Sequence, residues 1–215
     1  MVIADNILQH HLSHVYWVSG TCCGGKSTMT ARLAAKHGMT TYYTDDLFQQ
    51  HKAIATPAKQ PAMLRHFIDF EWFFNRPVPE YSRWLMDAAA EEMGMVVADL
   101  LRAPNDKPIV VDTHCCPDLL RRIAAPNHVV FLVAQPERCR REYFNREDKQ
   151  DMYRCIQRMS DPARTLNNVL DTIEHVARQE YESALAGGLP CLTRDDGTVL
   201  EHRLRLVEEI FKLAH

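Results

Sequence analysis

An α/β fold with a mostly parallel sheet covered on both faces is what this sequence predicts. Three observations point there. Short β-branched and apolar runs alternate with longer helical patterns along the 215 residues. Two of those runs end in acids, at Asp45-Asp46 and at Asp112, and ligands in an open parallel sheet sit at the carboxyl ends of strands. The apolar run Val15–Ser19 passes directly into Gly20-Thr21-Cys22-Cys23-Gly24-Gly25-Lys26-Ser27-Thr28 and then into a helical pattern.

That last stretch carries the spacing G-x-x-x-x-G-K-S, a phosphate-binding loop. The glycines Gly20, Gly24 and Gly25 let the backbone curl so that successive N–H groups point at phosphate oxygens. Thr21, Cys22, Cys23 and Thr28 complete the cradle. The helix that begins there adds the positive end of its dipole. Lys26 supplies a mobile point charge for the outer phosphates, and the Ser27 hydroxyl is suited to Mg²⁺.

Composition bounds the rest. Hydrophobic residues make up 46% and charged residues 25%, ordinary for a globular chain, and the length suits one domain over 1–215. A net charge of −3 gives no electrostatic case for nucleic acid. No apolar run approaches the ~20 residues of a membrane span, and the N-terminus lacks a signal-peptide pattern. The seven cysteines include the adjacent pairs Cys22-Cys23 and Cys115-Cys116. They read as reduced thiols of a cytoplasmic protein, with a metal or redox cluster as the sharper alternative.

The elements follow in order. Residues 1–14 form an amphipathic lead-in that Ile3, Ile7, Leu8 and Leu12 can dock, with His10, His11 and His14 facing solvent. Val15–Ser19 is a buried strand. Lys26–His37 is a helix with Met29, Leu33 and Ala34 on one face and Gly38 as its stop. Met39–Thr44 is the second strand. Asp45 or Asp46 after it can meet a Mg²⁺ or an acceptor hydroxyl, or cap the helix Leu47–His51.

Residues 47–105 separate the second and third strands. A crossover needs only about a dozen residues, so this stretch is expected to carry an inserted helical, acceptor-binding lobe. Ala62–Phe74 reads as a helix with a broad apolar face, broken at Asn75–Pro79. A second helix runs from Pro79 to about Leu101, with Trp84, Leu85, Ala88, Met93, Met95 and Leu100 inward. Arg65, His66, Arg76 and Arg83 are candidates for an acceptor pocket, and each also reads as a surface residue.

Pro108–Thr113 is the third strand, and its Asp112 matches the Walker B acid that reaches the Mg²⁺ shell. Leu119–Ala124 is a short helix and His128–Ala134 the fourth strand. Gln135-Pro136-Glu137 opens a helix. Arginines then alternate with acids over 137–162. This is either a solvated, salt-bridged helix pair or a lid in which Arg141 and Arg146 close on a transferring phosphate. A long helix, Ala163–Ala186, ends at Gly187-Gly188. Leu189–Thr193 is the last strand. The turn Arg194-Asp195-Asp196-Gly197 is a candidate base contact, and Leu204, Val207, Ile210, Phe211 and Ala214 mark a closing core helix.

With Gly20–Thr28, Asp45-Asp46, Asp112 and the arginine-rich segment in this order, the chain resembles the small P-loop kinases, a superfamily that includes adenylate, shikimate and gluconate kinases and chloramphenicol phosphotransferases. The resemblance implies a three-layer α/β/α fold with strand order 2-3-1-4-5, an acceptor lobe after strand two and a lid after strand four. It implies ATP on Lys26 and the loop, Mg²⁺ at Ser27 and Asp112, an acceptor-orienting acid at Asp45 or Asp46, and lid arginines at Arg141 and Arg146. The chain departs from adenylate kinases, which carry D-G-x-P-R where it has Asp112-Thr113-His114-Cys115-Cys116. It also has Thr44-Asp45-Asp46 in place of the D-x-D of shikimate and gluconate kinases.

The function expected is ATP- and Mg²⁺-dependent phosphoryl transfer to a small-molecule hydroxyl or phosphate acceptor. The alternative is a P-loop nucleotide hydrolase or a regulatory module without such an acceptor. Asn145-Arg146-Glu147-Asp148 mimics the guanine-reading N-K-x-D of GTPases, but it follows a charged helix rather than an apolar strand.

Overall fold

The computed structural model describes residues 3–195, 197 and 199–213. Asp196 of the turn offered as a candidate base contact and Ala214 of the closing helix lie outside the described residues. The chain runs α1 (Asp5–His11), β1 (Val15–Ser19), α2 (Lys26–His37), β2 (Thr40–Tyr43), α3 (Thr44–Ile54), α4 (Phe70–Phe74), α5 (Val78–Arg102), β3 (Ile109–Asp112), α6 (Pro117–Ile123), β4 (Val129–Ala134), α7 (Pro136–Glu142), α8 (Gln150–Ile156), α9 (Pro162–Ala186), β5 (Cys191–Arg194) and α10 (Leu200–Phe211).

The five strands pair wholly in parallel in the order β2-β3-β1-β4-β5. β3 and β4 are buried at every residue, as expected of central strands covered on both faces. Alternate side chains divide the core. Trp17, Val111, Phe131 and Val133 face Val96 and Leu100 of α5, Leu120 of α6 and Ala184 of α9. Val18, Val110, Val130 and Leu132 face Met29 and Leu33 of α2 and Leu204, Val207 and Phe211 of α10. Each such fully buried side chain contributes about 1.5–3 kcal/mol. Among the described residues no helix is long and apolar enough to cross a membrane.

Several boundaries differ from those predicted. β2 stops at Tyr43, and Thr44, Asp45 and Asp46 already belong to the first turn of α3. Ile3 and Ile7 stay exposed, so the apolar docking of α1 falls to Leu8 and Leu12, with Arg122 of α6 donating to Asp5 at 3.1 Å. β5 begins at Cys191.

The largest difference lies between Ala62 and Phe74. Only Phe70–Phe74 is helical, opened by Asp69, whose side chain accepts from Trp72 N at 2.7 Å. The aromatic residues there do not form a helix face. They close around Arg76, which is 2% exposed. Its guanidinium carbon lies 4.4 Å from the Tyr81 ring centroid, 4.7 Å from Phe73 and 4.9 Å from Trp84, with Phe67 and Trp72 each at 5.4 Å. Its Nε donates to Phe73 O at 3.0 Å. A buried cation held by ring quadrupoles is worth about 2 kcal/mol or more, and this aromatic box organises the lobe. Asn168 of α9 pins the same turn, donating to Phe74 O at 2.7 Å and Arg76 O at 2.8 Å. Phe74 and Tyr81 of the lobe share a hydrophobic cluster with Ile156 of α8 and Val169 of α9.

α3 is latched to α5 by His51, which is 3% exposed. Its Nδ1 lies 2.8 Å from Glu92 Oε1 and its Nε2 3.0 Å from Asp99 Oδ2. Tyr42 also donates to Asp99, at 3.2 Å. With a carboxylate at each ring nitrogen, both nitrogens carry protons and the ring is an imidazolium. Burial works against that charge, yet the hydrogen bonds to Asp99 and Glu92 prevail and the His51 pKa is raised. Because the folded value exceeds the unfolded one, the latch stabilises fully below about pH 6.5 and fades as pH rises through the folded value. Urea unfolding should therefore show stability falling as pH rises above about 6.5. His51→Gln should cost about 2 kcal/mol at about pH 6 and flatten that fall; an unchanged pH profile would refute the latch.

Candidate functional site

The phosphate loop is built by contact with β4. Gly20 has φ 123° and Gly25 φ 89°, values open to glycine. A Cβ on either Gly20 or Gly24 would collide with the carbonyl oxygen of Leu132, so the loop lies directly on the sheet. Thr21 Oγ1 accepts from Ala134 N at 2.8 Å and fixes the loop to the carboxyl end of β4. Arg203 of α10 donates to Gly24 O at 2.9 Å, and Arg194 of β5 donates to Cys23 O at 2.7 Å.

Lys26, 7% exposed, folds back over the loop. Its Nζ donates to Gly20 O at 3.2 Å and to Thr21 O at 3.1 Å. His114 Nε2 is also 3.2 Å from Nζ, and His114 Nδ1 is 3.0 Å from Glu180 Oε1 on α9. An ammonium only donates, so Nε2 is the acceptor and Nδ1 carries the proton given to Glu180. Glu180 thereby sets the His114 tautomer, and His114 places Lys26.

Ser27 Oγ donates to Asp112 Oδ2 at 2.6 Å. Asp112, 8% exposed, ends β3 and so stands beside the loop, because β3 pairs with β1 in register Val18↔Asp112. Thr44 Oγ1 donates to Asp112 O at 3.1 Å and ties the start of α3 to the same strand end.

These groups line a cleft of about 480 Å³. Its walls are Thr21, Cys22, Cys23, Gly25 and Lys26–Thr28 of the loop, Tyr43–Asp46, Asp112 and His114, and Arg146, Asp148 and Arg194. The structure thus gathers Lys26, Ser27, Asp45, Asp46, Asp112 and Arg146 in one place. Asp45 and Asp46 are both solvent-exposed there. Arg146 is held by Asp148 in a two-pronged pair, Nε to Oδ1 at 3.0 Å and Nη2 to Oδ2 at 2.8 Å.

Arg141 does not join them. It sits exposed on α7 with Glu142 at 3.6 Å, because the helical phase of α7 turns it away from the cleft. The acceptor-pocket candidates also lie elsewhere. Arg65 and Arg83 line a separate hollow of about 690 Å³ against α5, His66 is exposed, and Arg76 is enclosed by aromatic rings. His114, Glu180 and Tyr43 are site residues that sequence reasoning missed. His114 had a signal, since it lies two positions beyond the Walker B acid. Glu180 had none, as it reaches the site from the middle of α9.

The donor set at Ser27 and Asp112 suits Mg²⁺, a hard cation commonly held by one or two protein oxygens plus phosphates and water. Among the described residues no group of three or more His, Cys, Asp or Glu side chains is arranged to hold a metal ion. With this sheet order and loop in place, the fold can be stated. It is a three-layer α/β/α P-loop fold with strand order 2-3-1-4-5. No protein-family profile matches the chain, and no curated protein matches it. Among solved structures, shikimate kinase from Acinetobacter baumannii in complex with shikimate is similar to it at 18% identity and a TM-score of 0.45, over 92% of this chain and 93% of that one.

The close approach of loop and sheet can be tested by two substitutions. Gly24→Ala should cost about 1–3 kcal/mol through overpacking against Leu132. Gly38→Ala, at φ 65° with open space around it, should cost only the about 1–2 kcal/mol of left-handed backbone and leave ligand binding unchanged. Thermal unfolding and binding of a nucleotide analogue would separate them; equal effects on both would refute the contact's role.

Proposed function

We propose that this chain is an ATP- and Mg²⁺-dependent phosphotransferase acting on a small-molecule hydroxyl or phosphate acceptor, working in the reducing cytoplasm. The observation that carries the reading is the meeting of the Ser27 hydroxyl and the Asp112 carboxylate at 2.6 Å, next to Lys26 and facing Asp45 and Asp46 across one cleft. Donor phosphates and an acceptor acid are then within reach of each other, which is what in-line transfer requires.

In this reading the loop N–H groups and Lys26 bind and orient the outer phosphates. Ser27 and Asp112 would hold the metal, which when bound would supply neutralisation of phosphate charge. Arg146 adds positive charge near the moving phosphoryl group, and Asp148 holds its guanidinium in place. Asp45 or Asp46 orients the acceptor hydroxyl and takes its proton. Preorganised charge of this kind is commonly the largest single contribution to catalysis. The GTPase alternative is disfavoured by Asp148, whose carboxylate is engaged by Arg146 and Lys149 in short 3₁₀ turns rather than standing after a strand.

The test is ADP release from ATP or GTP, with and without a pool of hydroxyl-bearing metabolites. Acceptor-dependent release is expected; GTP preference with slow, acceptor-independent hydrolysis would sink the proposal. Lys26→Ala should lower turnover by more than ~100-fold. Asp45→Asn and Asp46→Asn, made separately, should differ, and the acceptor-orienting one should lower kcat far more than it raises KM for ATP. Equal, mild effects from both would remove the acid from the mechanism.

A further inference from the structure

Three thiols from two distant parts of the chain meet behind the phosphate loop. Cys22 and Cys23 of the loop pack with Cys139 of α7, together with Ala134 and Ala177. Cys139 Sγ donates to Cys22 O at 3.0 Å. All three are free thiols.

The three are not equivalent. Cys139 is 0% exposed, whereas Cys23 lines the open cleft beside Arg146 and Arg194. Cys23 also holds φ 57°, a left-handed backbone that a non-glycine residue rarely adopts. Cations beside a partly exposed thiol favour the thiolate, which is the reactive form. The hydrogen bonds from Cys139 and Cys22 pull the Cys23 pKa down, with Arg146 and Arg194 adding to them, while Cys22 is pushed up.

We infer that Cys23 is a peroxide-reactive site in the phosphate loop and that Cys139 is its resolving partner, so that oxidation bonds the loop to α7. The oxidant is a hydroperoxide. The Cys23 thiolate attacks one peroxide oxygen, the O–O bond breaks, and hydroxide leaves as a sulfenic acid forms. The Cys139 sulfur then attacks the Cys23 sulfur; the S–S bond forms, the S–O bond breaks, and water leaves. With hydrogen peroxide the sum is two thiols and one peroxide giving one disulfide and two waters, with both sulfurs oxidised and both peroxide oxygens reduced. Cys22 is a poor resolving partner, because a bond between adjacent residues closes a small ring far from relaxed disulfide geometry. Bridging draws the Cys23 side chain from the cleft toward α7 and pulls on the loop whose N–H groups face the phosphates.

The direct test is peptide mapping of the full chain by mass spectrometry under non-reducing conditions, after equimolar hydrogen peroxide, with a 1,3-dione sulfenic-acid trap present in a parallel sample. A Cys23–Cys139 disulfide is expected in the unmodified sequence. In Cys139→Ser, and in Cys139→Ala if the serine variant does not fold, the trap should label Cys23 instead. Cys23→Ser should slow thiol loss by at least about 10-fold. Cys116 is the internal competitor, since it is exposed and its thiol is lowered to about 6, chiefly by a hydrogen bond from Cys115. First reaction at Cys116, a Cys22–Cys23 bond, or no Cys23 linkage would each overturn the inference.

A second readout gives the consequence, which rests on the phosphotransfer reading. Oxidised protein should bind a fluorescent ATP analogue at least about 10-fold more weakly than reduced protein, as expected for a distorted phosphate cradle, and dithiothreitol should restore binding. Unchanged affinity in fully bridged protein overturns the coupling to the loop. Failure of the reduced protein to bind the analogue overturns the phosphotransfer reading and leaves the disulfide map to decide this one.

Discussion

The site depends on one steric fact: the backbone of the phosphate loop rests on the carbonyl of Leu132. Glycine at positions 20 and 24 permits that approach, and any Cβ there would strike the strand. Once the loop is seated, Thr21 can reach Ala134 N, and α2 leaves the sheet at the angle that buries Met29 and Leu33. Lys26 and Ser27 are then delivered to the edge where β3 presents Asp112. The parallel register of β1 with β3 makes this meeting unavoidable, because Val18 and Asp112 are opposite one another.

The charges around this edge are arranged in advance. Lys26 is held by two loop carbonyls and His114, which Glu180 in turn orients. Arg146 is held by Asp148 and Arg194 by the carbonyl of Cys23. A cation already fixed in direction loses little freedom when an anion arrives, and a cleft partly closed to water strengthens each interaction. The cost is that several contacts are shared, so changing one partner moves the others. Cys23 illustrates this, since its carbonyl steadies Arg194 while its side chain packs in the cluster that holds Cys139.

The helical lobe follows a different physical rule. The end of α5 lies on the sheet through Val96 and Leu100, but residues 67–84 are organised around a buried cation and its aromatic walls. Asn168 joins that box to α9, and α9 also carries Glu180. The lobe and the phosphate loop are therefore connected through one long helix. Phe144 and Met152, from the arginine-rich segment, pack on the same hydrophobic cluster as the lobe, so these two segments share a core.

The sequence by itself determined the α/β class, the sheet elements to within a residue or two, the strand order through the family resemblance, and the loop with Lys26, Ser27 and Asp112. These were legible because local rules govern them: alternation of apolar runs, glycine spacing, and an acid at a strand end. Only the tertiary structure decided the rest. Ala62–Phe74 looked helical because its aromatic residues are dense, but their partner is Arg76, and a cation–π box leaves no periodic mark. Arg141 and Arg146 were indistinguishable as letters; the turn after α7 sends one to solvent and the other to the cleft. His114, Glu180 and Cys139 reach the site from separate elements, and long-range convergence of single side chains has no spacing for a sequence to record.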